Sequence, residues 1–396
     1  MKFIAYLICY CIYPFSFLFP RRKKKWAFGS FRGAFNDNAK YLFIHVSEQM
    51  PEINASWLSI NKATVKEIKA KGLKAYHILS LRGIGFALTS KFWFYNAYSS
   101  DIMFCLSGGA KLVNLWHGLP MKRIEFDITS GPLAERFVRR SLKERFFHPE
   151  SFQRPDYLLA VSSFFSETFA RSFRIPTERC LLFGYPRNTI LNCSEAEREC
   201  HVEKIEPEIT KALIEKLKKK EYDRVFVYLP TWRDSQRDFF SEDFDLSALD
   251  ELLQRCNALM LLKPHANVSV DKIRAEGLAN VVFVPSSIDI YPVLPYTDVL
   301  VTDYSSVMYD YALMEQKGVI LYLYDFLEYE KERNFTRAFD ELALGKRVFD
   351  FDSLLAMIRE GNYWIKEEER QAFVSKCWGD ESGNACERIA SFFQQA

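Results

Sequence analysis

From Trp26 onward, short apolar runs alternate with stretches whose apolar positions recur at helical spacing. Ala55 to Ile60 reads as a strand, Lys62 to Lys71 as a helix stopped at Gly72, and Ala75 to Leu79 as the next strand. Further strands are predicted at Ile102 to Leu106, Leu112 to Trp116, Tyr157 to Val161 and Cys180 to Phe183. Residues 194–223 are dominated by Glu and Lys, with apolar positions at Ile205, Ile209, Leu213, Ile214 and Leu217, which predicts a helix-bearing linker with a solvated charged face. A second series follows, with strands at Arg224 to Leu229, Leu259 to Lys263, Val281 to Val284, Val299 to Thr302 and Gly318 to Tyr322. Strands alternating with helices predict α/β domains with parallel sheets. A chain of 396 residues exceeds what one hydrophobic core serves. The expected organisation is therefore a domain over 26–195, a charged helical linker over 196–222 and a domain over 223–396, with a cleft between the two.

The N-terminal segment breaks this pattern. Residues 3–20 are almost all apolar, interrupted by Pro14, and are followed by Arg21, Arg22, Lys23, Lys24 and Lys25. A cleaved signal peptide has the opposite order, with its charges first. Roughly 17 apolar residues sit at the lower limit for a spanning helix, so the segment 1–25 reads as membrane-associating, either interfacial or spanning, with the basic run at the cytoplasmic face. The competing reading is a first core strand, because Tyr, Phe and Ile also favour strands. A second basic amphipathic stretch runs from Leu133 to Phe147. It places Leu133, Phe137, Leu142 and Phe146 near one helical face and Arg136, Arg139, Arg140, Lys143 and Arg145 on the rest. Either an interfacial helix or an ordinary surface helix fits that pattern.

Composition narrows the functional classes. The chain is 48% hydrophobic, 26% charged and 16% aromatic, with 35 Phe and 20 Tyr, which excludes a disordered protein. A net charge of +2 gives no global argument for a nucleic-acid partner. The nine cysteines lack C-x-x-C spacing, which argues against a zinc site or a disulfide scaffold.

In open parallel sheets, ligands bind beyond the carboxyl ends of the strands. Those positions are polar here: Thr231, Arg233 and Asp234 follow one predicted strand, His265 another, Thr302, Asp303, Ser305 and Ser306 a third, and His117 a strand of the first domain. The segment Thr302 to Ser306 precedes a predicted helix from Val307 to Gln316, so Ser305 or Ser306 should occupy its N-cap, as a plain cap or as an anion site. Of six histidines, only His117, beside Gly118, and His265, beside Pro264, sit at strand-to-loop junctions flanked by Gly or Pro.

These residues belong to an ordered set. Asn36 to Tyr41, Trp116-His117-Gly118-Leu119-Pro120-Met121-Lys122, Gly184 to Asn188, Pro230 to Asp234, Lys263-Pro264-His265, Thr302 to Ser306, Tyr324-Asp325, Gly379-Asp380 and Asn384 to Ile389 resemble the signatures of the CDP-glycerol glycerophosphotransferases of teichoic-acid and capsule synthesis. The resemblance covers about residues 28–390. His265 is followed by Ala266 where the family often has a second Pro, and Asn188 and Thr189 stand where an Asp is common.

The resemblance implies a GT-B-type fold, with two Rossmann-like parallel-sheet domains. CDP-polyol would bind mainly to the C-terminal domain, and a lipid-linked glycan or polyol-phosphate acceptor would approach from the N-terminal one. The expected catalytic pair is His117, as general base, and His265. Donor binding is assigned to Arg233, Thr302, Asp303, Ser305, Ser306, Gly118 and Lys263, and the acceptor side to Asn38, Lys122 and Arg187. No cofactor and no tightly bound metal are expected. The expected place is the cytoplasmic face of the cell membrane. A ribitol-phosphate transferase and a nucleotide-sugar GT-B glycosyltransferase are the rival readings.

Overall fold

The computed structural model describes residues 2–231, 244–263, 277–286, 288–379 and 384–396. They form two compact units, the first comprising Met1–Leu119, Ile124–Thr189 and Cys377–Ala396, the second Pro120–Arg123 and Ile190–Lys376.

The first unit is built on seven parallel strands: β1 (Arg22–Phe28), β2 (Asn54–Ser59), β3 (Ala75–His77), β4 (Ser90–Tyr95), β5 (Lys111–Asn114), β6 (Tyr157–Leu159) and β7 (Cys180–Leu181), in the order β3-β2-β1-β4-β5-β6-β7. Strand β1 is central, with Trp26 paired to Ala55 on one side and Phe92 on the other. Both faces of such a strand are covered, so Trp26, Ala27 and Phe28 are all fully buried. Ala27 joins Leu58, Ile78, Phe86 and Trp93 on one face. On the other, Trp26 and Phe28 meet Phe94 at 5.2 and 4.9 Å. That face is closed by the helix Ala385–Gln395, whose Phe393 contacts Phe92, Phe94 and Tyr157 at 5.1–5.3 Å between ring centroids.

The second unit has six described parallel strands: β8 (Arg224–Tyr228), β9 (Ala258–Leu262), β10 (Val281–Phe283), β11 (Val299–Thr302), β12 (Gly318–Tyr322) and β13 (Lys346–Val348), ordered β10-β9-β8-β11-β12-β13. The core of one face gathers Phe226, Tyr228, Met260, Leu262, Val301, Ile320 and Tyr322 with the helices Leu246–Arg255 and Phe351–Glu360. Asp250 in the first of these helices caps the entry to β10, accepting from the main-chain N–H groups of Ala279, Asn280 and Val281 at 2.7–3.1 Å.

Several expectations change. Residues 2–16 form a helix, Lys2–Ser16, and not a strand. Its Tyr6, Cys9, Tyr10 and Tyr13 stripe is half-buried, while Phe3, Ile4, Leu7, Ile8, Ile12 and Phe15 point outward and are 38–63% exposed. No helix among the described residues is long and apolar enough to cross a membrane. Fifteen helical residues reach about 22 Å, short of the ~30 Å hydrocarbon core. The boundary expected after residue 25 falls inside β1, because Arg22–Lys25 are ordered by the sheet. Arg21 is drawn in as well, donating to the carbonyls of Ala87 at 2.6 Å and Leu106 at 2.9 Å.

The segment expected as a strand at Ile102 to Leu106 instead ends in a short 3-10 turn, Phe104–Leu106, and follows another, Ser99–Asp101, where the Asp101 carboxylate takes the N–H groups of Asn96 and Ala97 and turns the chain. The stretch Leu133 to Phe147 breaks at Arg140, which takes a left-handed φ of 53° before Ser141 caps a separate helix, Leu142–Phe147. The residues expected as a linker pack into the second unit as helices Glu195–Ile205 and Glu208–Lys218, burying Val202, Ile205, Ile214 and Leu217. Finally, Cys377–Ala396 belongs to the first unit and not to the C-terminal one.

Candidate functional site

In each unit the strand order reverses at one place, between β1 and β4 in the first and between β8 and β11 in the second. A ligand crevice opens at the carboxyl ends of such a strand pair. Among the described residues, His117 and Gly118 lie by the first of these edges, and Thr302, Asp303, Ser305 and Ser306 by the second.

In the first unit the edge carries Ser30 after β1, Asn96 after β4 and His117 shortly after β5. Their positions are fixed by a network of buried polar groups. Asp101 accepts from the Asn96 N–H at 3.1 Å and the Ala97 N–H at 2.8 Å. The Asn96 side chain donates to Ser30 Oγ at 2.8 Å and accepts from the Ala39 N–H at 2.9 Å. The Asn96 carbonyl lies 3.1 Å from Nδ1 of His117. A carbonyl can only accept, so Nδ1 carries the proton and the lone pair of the neutral ring lies on Nε2. The ring rests on Trp116, 4.2 Å between centroids, and Trp116 packs edge-on against Phe173 at 4.8 Å.

The main chain beneath His117 is held from below. Asn38, fully buried, donates to the carbonyls of Leu115 and Trp116 at 3.2 and 2.9 Å and accepts from the Arg187 N–H at 3.2 Å. The Arg187 guanidinium, 3% exposed, donates to Asp37 at 2.7 Å and to the His117 carbonyl at 2.9 Å. Asp37 and Trp116 both take left-handed backbone conformations, with φ of 61° and 52°. Strain of this kind persists only where surrounding bonds over-determine it. Asn38 and Arg187, expected at the acceptor side, thus lie beneath the site with their polar groups on the His117 and Asp37 segments. Gly118 is buried beside them.

In the second unit, Thr302 and Asp303 are also buried. Thr302 Oγ1 donates to the Leu229 carbonyl at 2.6 Å, and Asp303 accepts from the N–H groups of Thr231 at 2.9 Å and Tyr304 at 2.6 Å. Both side chains knit the end of β8 to the end of β11. Ser305 and Ser306 are half-exposed at the same edge. The helix after them is shorter than expected, Val307–Tyr311. Arg370 takes the Ala312 carbonyl at 3.0 Å, which satisfies an orphan acceptor of the last turn and ends the helix there. Lys263, at the end of β9, donates to the Ser286 carbonyl at 3.0 Å, and burial lowers its ammonium below the usual lysine range, with Asp289 opposing. His265, Arg233 and Asp234 lie outside the described residues.

Lys122 is found elsewhere than expected. Pro120–Arg123 is part of the second unit, pairing with the segment around Phe335 through an antiparallel bridge between Lys122 and Phe335. Lys122 Nζ donates to Tyr329 OH at 3.1 Å, and Tyr329 stacks on Tyr304 at 3.8 Å. Lys122 therefore sits beside the segment Thr302 to Ser306, which contains Tyr304. Sequence reading missed Ser30, Asn96 and Asp101. The available signal was a Ser or Asn directly after an apolar run, at Trp26 to Phe28 and Phe92 to Tyr95, and both strands went unpredicted. Among the described residues, no group of three His, Cys, Asp or Glu could hold a metal ion.

Comparison with known proteins adds to this geometry. The chain is 26% identical over 371 residues to the teichoic acid glycerol-phosphate transferase of Staphylococcus aureus, covering 91% of this chain and 90% of that protein. It is 26% identical over 354 residues to the teichoic acid poly(glycerol phosphate) polymerase of Bacillus subtilis, but spans only 44% of that protein's length. Its fold is similar to that of the wall teichoic acid polymerase TagF, with a TM-score of 0.76 over 95% of this chain and 89% of that one, at 23% identity. The pattern of the CDP-glycerol:poly(glycerophosphate) glycerophosphotransferases matches residues 11–394, and the chain belongs to that family.

Proposed function

We propose that the protein transfers glycerol phosphate from CDP-glycerol to a lipid-linked or polymer acceptor in teichoic-acid-like or capsule synthesis, releasing CMP. The acceptor hydroxyl attacks the polyol-side phosphorus, Nε2 of His117 takes its proton, and CMP departs. CMP has a second pKa near 6, so the leaving group needs charge stabilisation more than it needs a proton. Ser305, Ser306 and Lys263 on the second unit, with His265 and Arg233, supply that stabilisation. Thr302 and Asp303 hold the loop that presents the serines. The observation that carries the reading is the His117–Asn96 bond, which directs the basic nitrogen away from the main chain.

The outward apolar face of the helix Lys2–Ser16 supports a peripheral site on the cytoplasmic face of the membrane, with that helix lying in the interface. Glycerol is favoured over ribitol because the glycerol-phosphate transferase matches 91% of the chain and a Staphylococcus aureus ribitol-phosphate polymerase 70%. The test is to incubate purified protein with CDP-glycerol and with CDP-ribitol, separately, with membrane extract. CMP release with CDP-glycerol is expected. Release of a nucleoside diphosphate from a nucleotide sugar instead would identify a glycosyltransferase, and release only from CDP-ribitol would change the polyol.

A further inference from the structure

Three arginines on the surface that carries the helix Leu142–Phe147 have carboxylate partners. Arg136 binds Glu144 at 2.8 Å, Arg139 binds Glu135 at 3.0 Å and Arg171 binds Asp127 at 2.7 Å. Four do not. Among the described residues, Arg140, Arg145, Arg154 and Arg174 have no carboxylate within ion-pair distance. Three of them are nevertheless gathered around two aromatic rings. Arg174 lies 3.7 Å from the centroid of Phe126, Arg140 lies 5.3 Å from the same ring, and Arg145 lies 5.8 Å from Phe152. Phe126 and Phe152 are themselves in edge contact at 5.9 Å. Arg154 follows two residues after Phe152 and, with Arg140 and Arg145, is near enough to Arg174 to depress its pKa, after the larger effect of burial.

Bringing like charges together without a counter-charge costs stability, and here it is fixed by the backbone. Arg140 and Arg174 both hold left-handed conformations, with φ of 53° and 55°, a conformation uncommon for residues other than Gly. The Nε of Arg174 is buried and has no acceptor. A buried donor of a cationic group without a partner is a large penalty unless a ligand supplies the acceptor. Guanidinium forks match phosphate oxygens in geometry and charge.

The cluster lies between two features already described. Arg174 directly follows Phe173, the ring that supports Trp116 under His117. Arg145 belongs to the helix whose Phe146 stacks on Phe3 and Tyr10 of the apolar N-terminal helix, at 5.1 and 5.4 Å. We infer that Arg140, Arg145, Arg154 and Arg174 form an anion site for the phosphate groups of the acceptor, a pyrophosphate or phosphodiester carried on a membrane lipid. The identity of that ligand rests on the proposed transfer reaction; the anion site itself does not.

Arginine footprinting of the intact wild-type chain tests the site directly. The protein is treated with phenylglyoxal at low salt, with and without inorganic pyrophosphate, and modification is read by peptide mass spectrometry. Pyrophosphate should slow modification of Arg154 and Arg174 about tenfold, the factor one charge-assisted hydrogen bond provides, and leave the exposed Arg139 and Arg179 unchanged. Equal slowing at all four positions, or none, overturns the site. The double variant Arg154→Gln/Arg174→Gln then tests the ligand. It should raise the KM for acceptor about tenfold or more, leave the KM for CDP-glycerol unchanged and still float with phosphatidylglycerol vesicles. Lost flotation with an unchanged acceptor KM would make bulk lipid headgroups the ligand and overturn the acceptor assignment. Protection does not require turnover, so a protected cluster in a protein that releases no CMP would reject the transfer reaction alone.

Discussion

Arg187 donates from one guanidinium nitrogen to the main-chain carbonyl of His117 at 2.9 Å, and the same nitrogen binds the Asp37 carboxylate at 2.7 Å. The expected function of Arg187 is thus to hold the segment that carries the base. Arg187→Met should destabilise the first unit by about 3 kcal/mol in chemical denaturation, because it leaves Asp37 without its cation, and should lower kcat with it. Arg187→Lys should recover little of either, since the planar guanidinium also lies over the Tyr185 ring at 5.0 Å and a flexible ammonium does not reproduce that placement. Full recovery by lysine would show that charge alone matters there.

Replacing His117, the proposed base, isolates the chemistry from the scaffold. His117→Ala should lower kcat by about 10²-fold or more with little change in the KM for CDP-glycerol. Steady-state CMP release checks both constants, and unchanged turnover would remove His117 from the reaction.

The loop that carries Ser305 and Ser306 hangs on one carboxylate. Asp303→Ala removes the acceptor for the N–H groups of Thr231 and Tyr304, and each buried donor left unsatisfied costs about 1–3 kcal/mol. Thermal unfolding should show the loss, and the KM for CDP-glycerol should rise because Ser305 and Ser306 are no longer held. A stable variant with normal donor affinity would contradict this role.

Two buried carboxyls make the first unit sensitive to pH. Burial raises Glu125, hydrogen-bonded to Tyr98 OH at 2.5 Å, to about 7 from an ordinary value of 4.5. Burial raises Asp101 to about 7 from 3.8. The folded state keeps protons that the unfolded chain releases near pH 4, so this stabilisation is complete below that pH and is lost as pH rises through 7. Tm should therefore be lower at pH 8 than at pH 5, and Glu125→Gln should flatten the dependence. A Tm that rises across that window would reverse the assignment.

The N-terminal helix turns its more apolar side outward. Burying a large aliphatic or aromatic side chain contributes roughly 1.5–3 kcal/mol, so Ile8→Asp/Phe15→Asp should weaken binding to anionic lipid vesicles at least about tenfold while far-ultraviolet circular dichroism stays unchanged. Vesicle flotation is the measurement, and undiminished binding would exclude this face.

Much of the fold could be read from periodicity. Strands β8 to β12 of the second unit, and β2, β3 and β5 to β7 of the first, were marked by apolar runs between turn residues, whereas the three-residue β13 was not. Strand β1 was hidden because the sheet orders Arg22–Lys25, four charged residues that local pattern assigns to a membrane boundary. The strand character of Ile102 to Leu106 misleads, because Asp101 turns the chain just before it. At the site, His117 was visible because a His before Gly at a strand end is unusual. Asn96 was not, since its role lies in a main-chain carbonyl, which no side-chain pattern encodes. The placement of Lys122 in the second unit was not legible, because it depends on a long-range bridge to Phe335.

The return of Cys377–Ala396 to the first unit sets an order of events during synthesis. Phe393 covers Phe92, Phe94 and Tyr157, so the first sheet stays open on that face until the helix Ala385–Gln395 has left the ribosome. By then every residue of the second unit has been made. The half of the protein that is translated first is the half that finishes folding last, and a chain stalled before residue 385 would present an uncovered aromatic surface to chaperones.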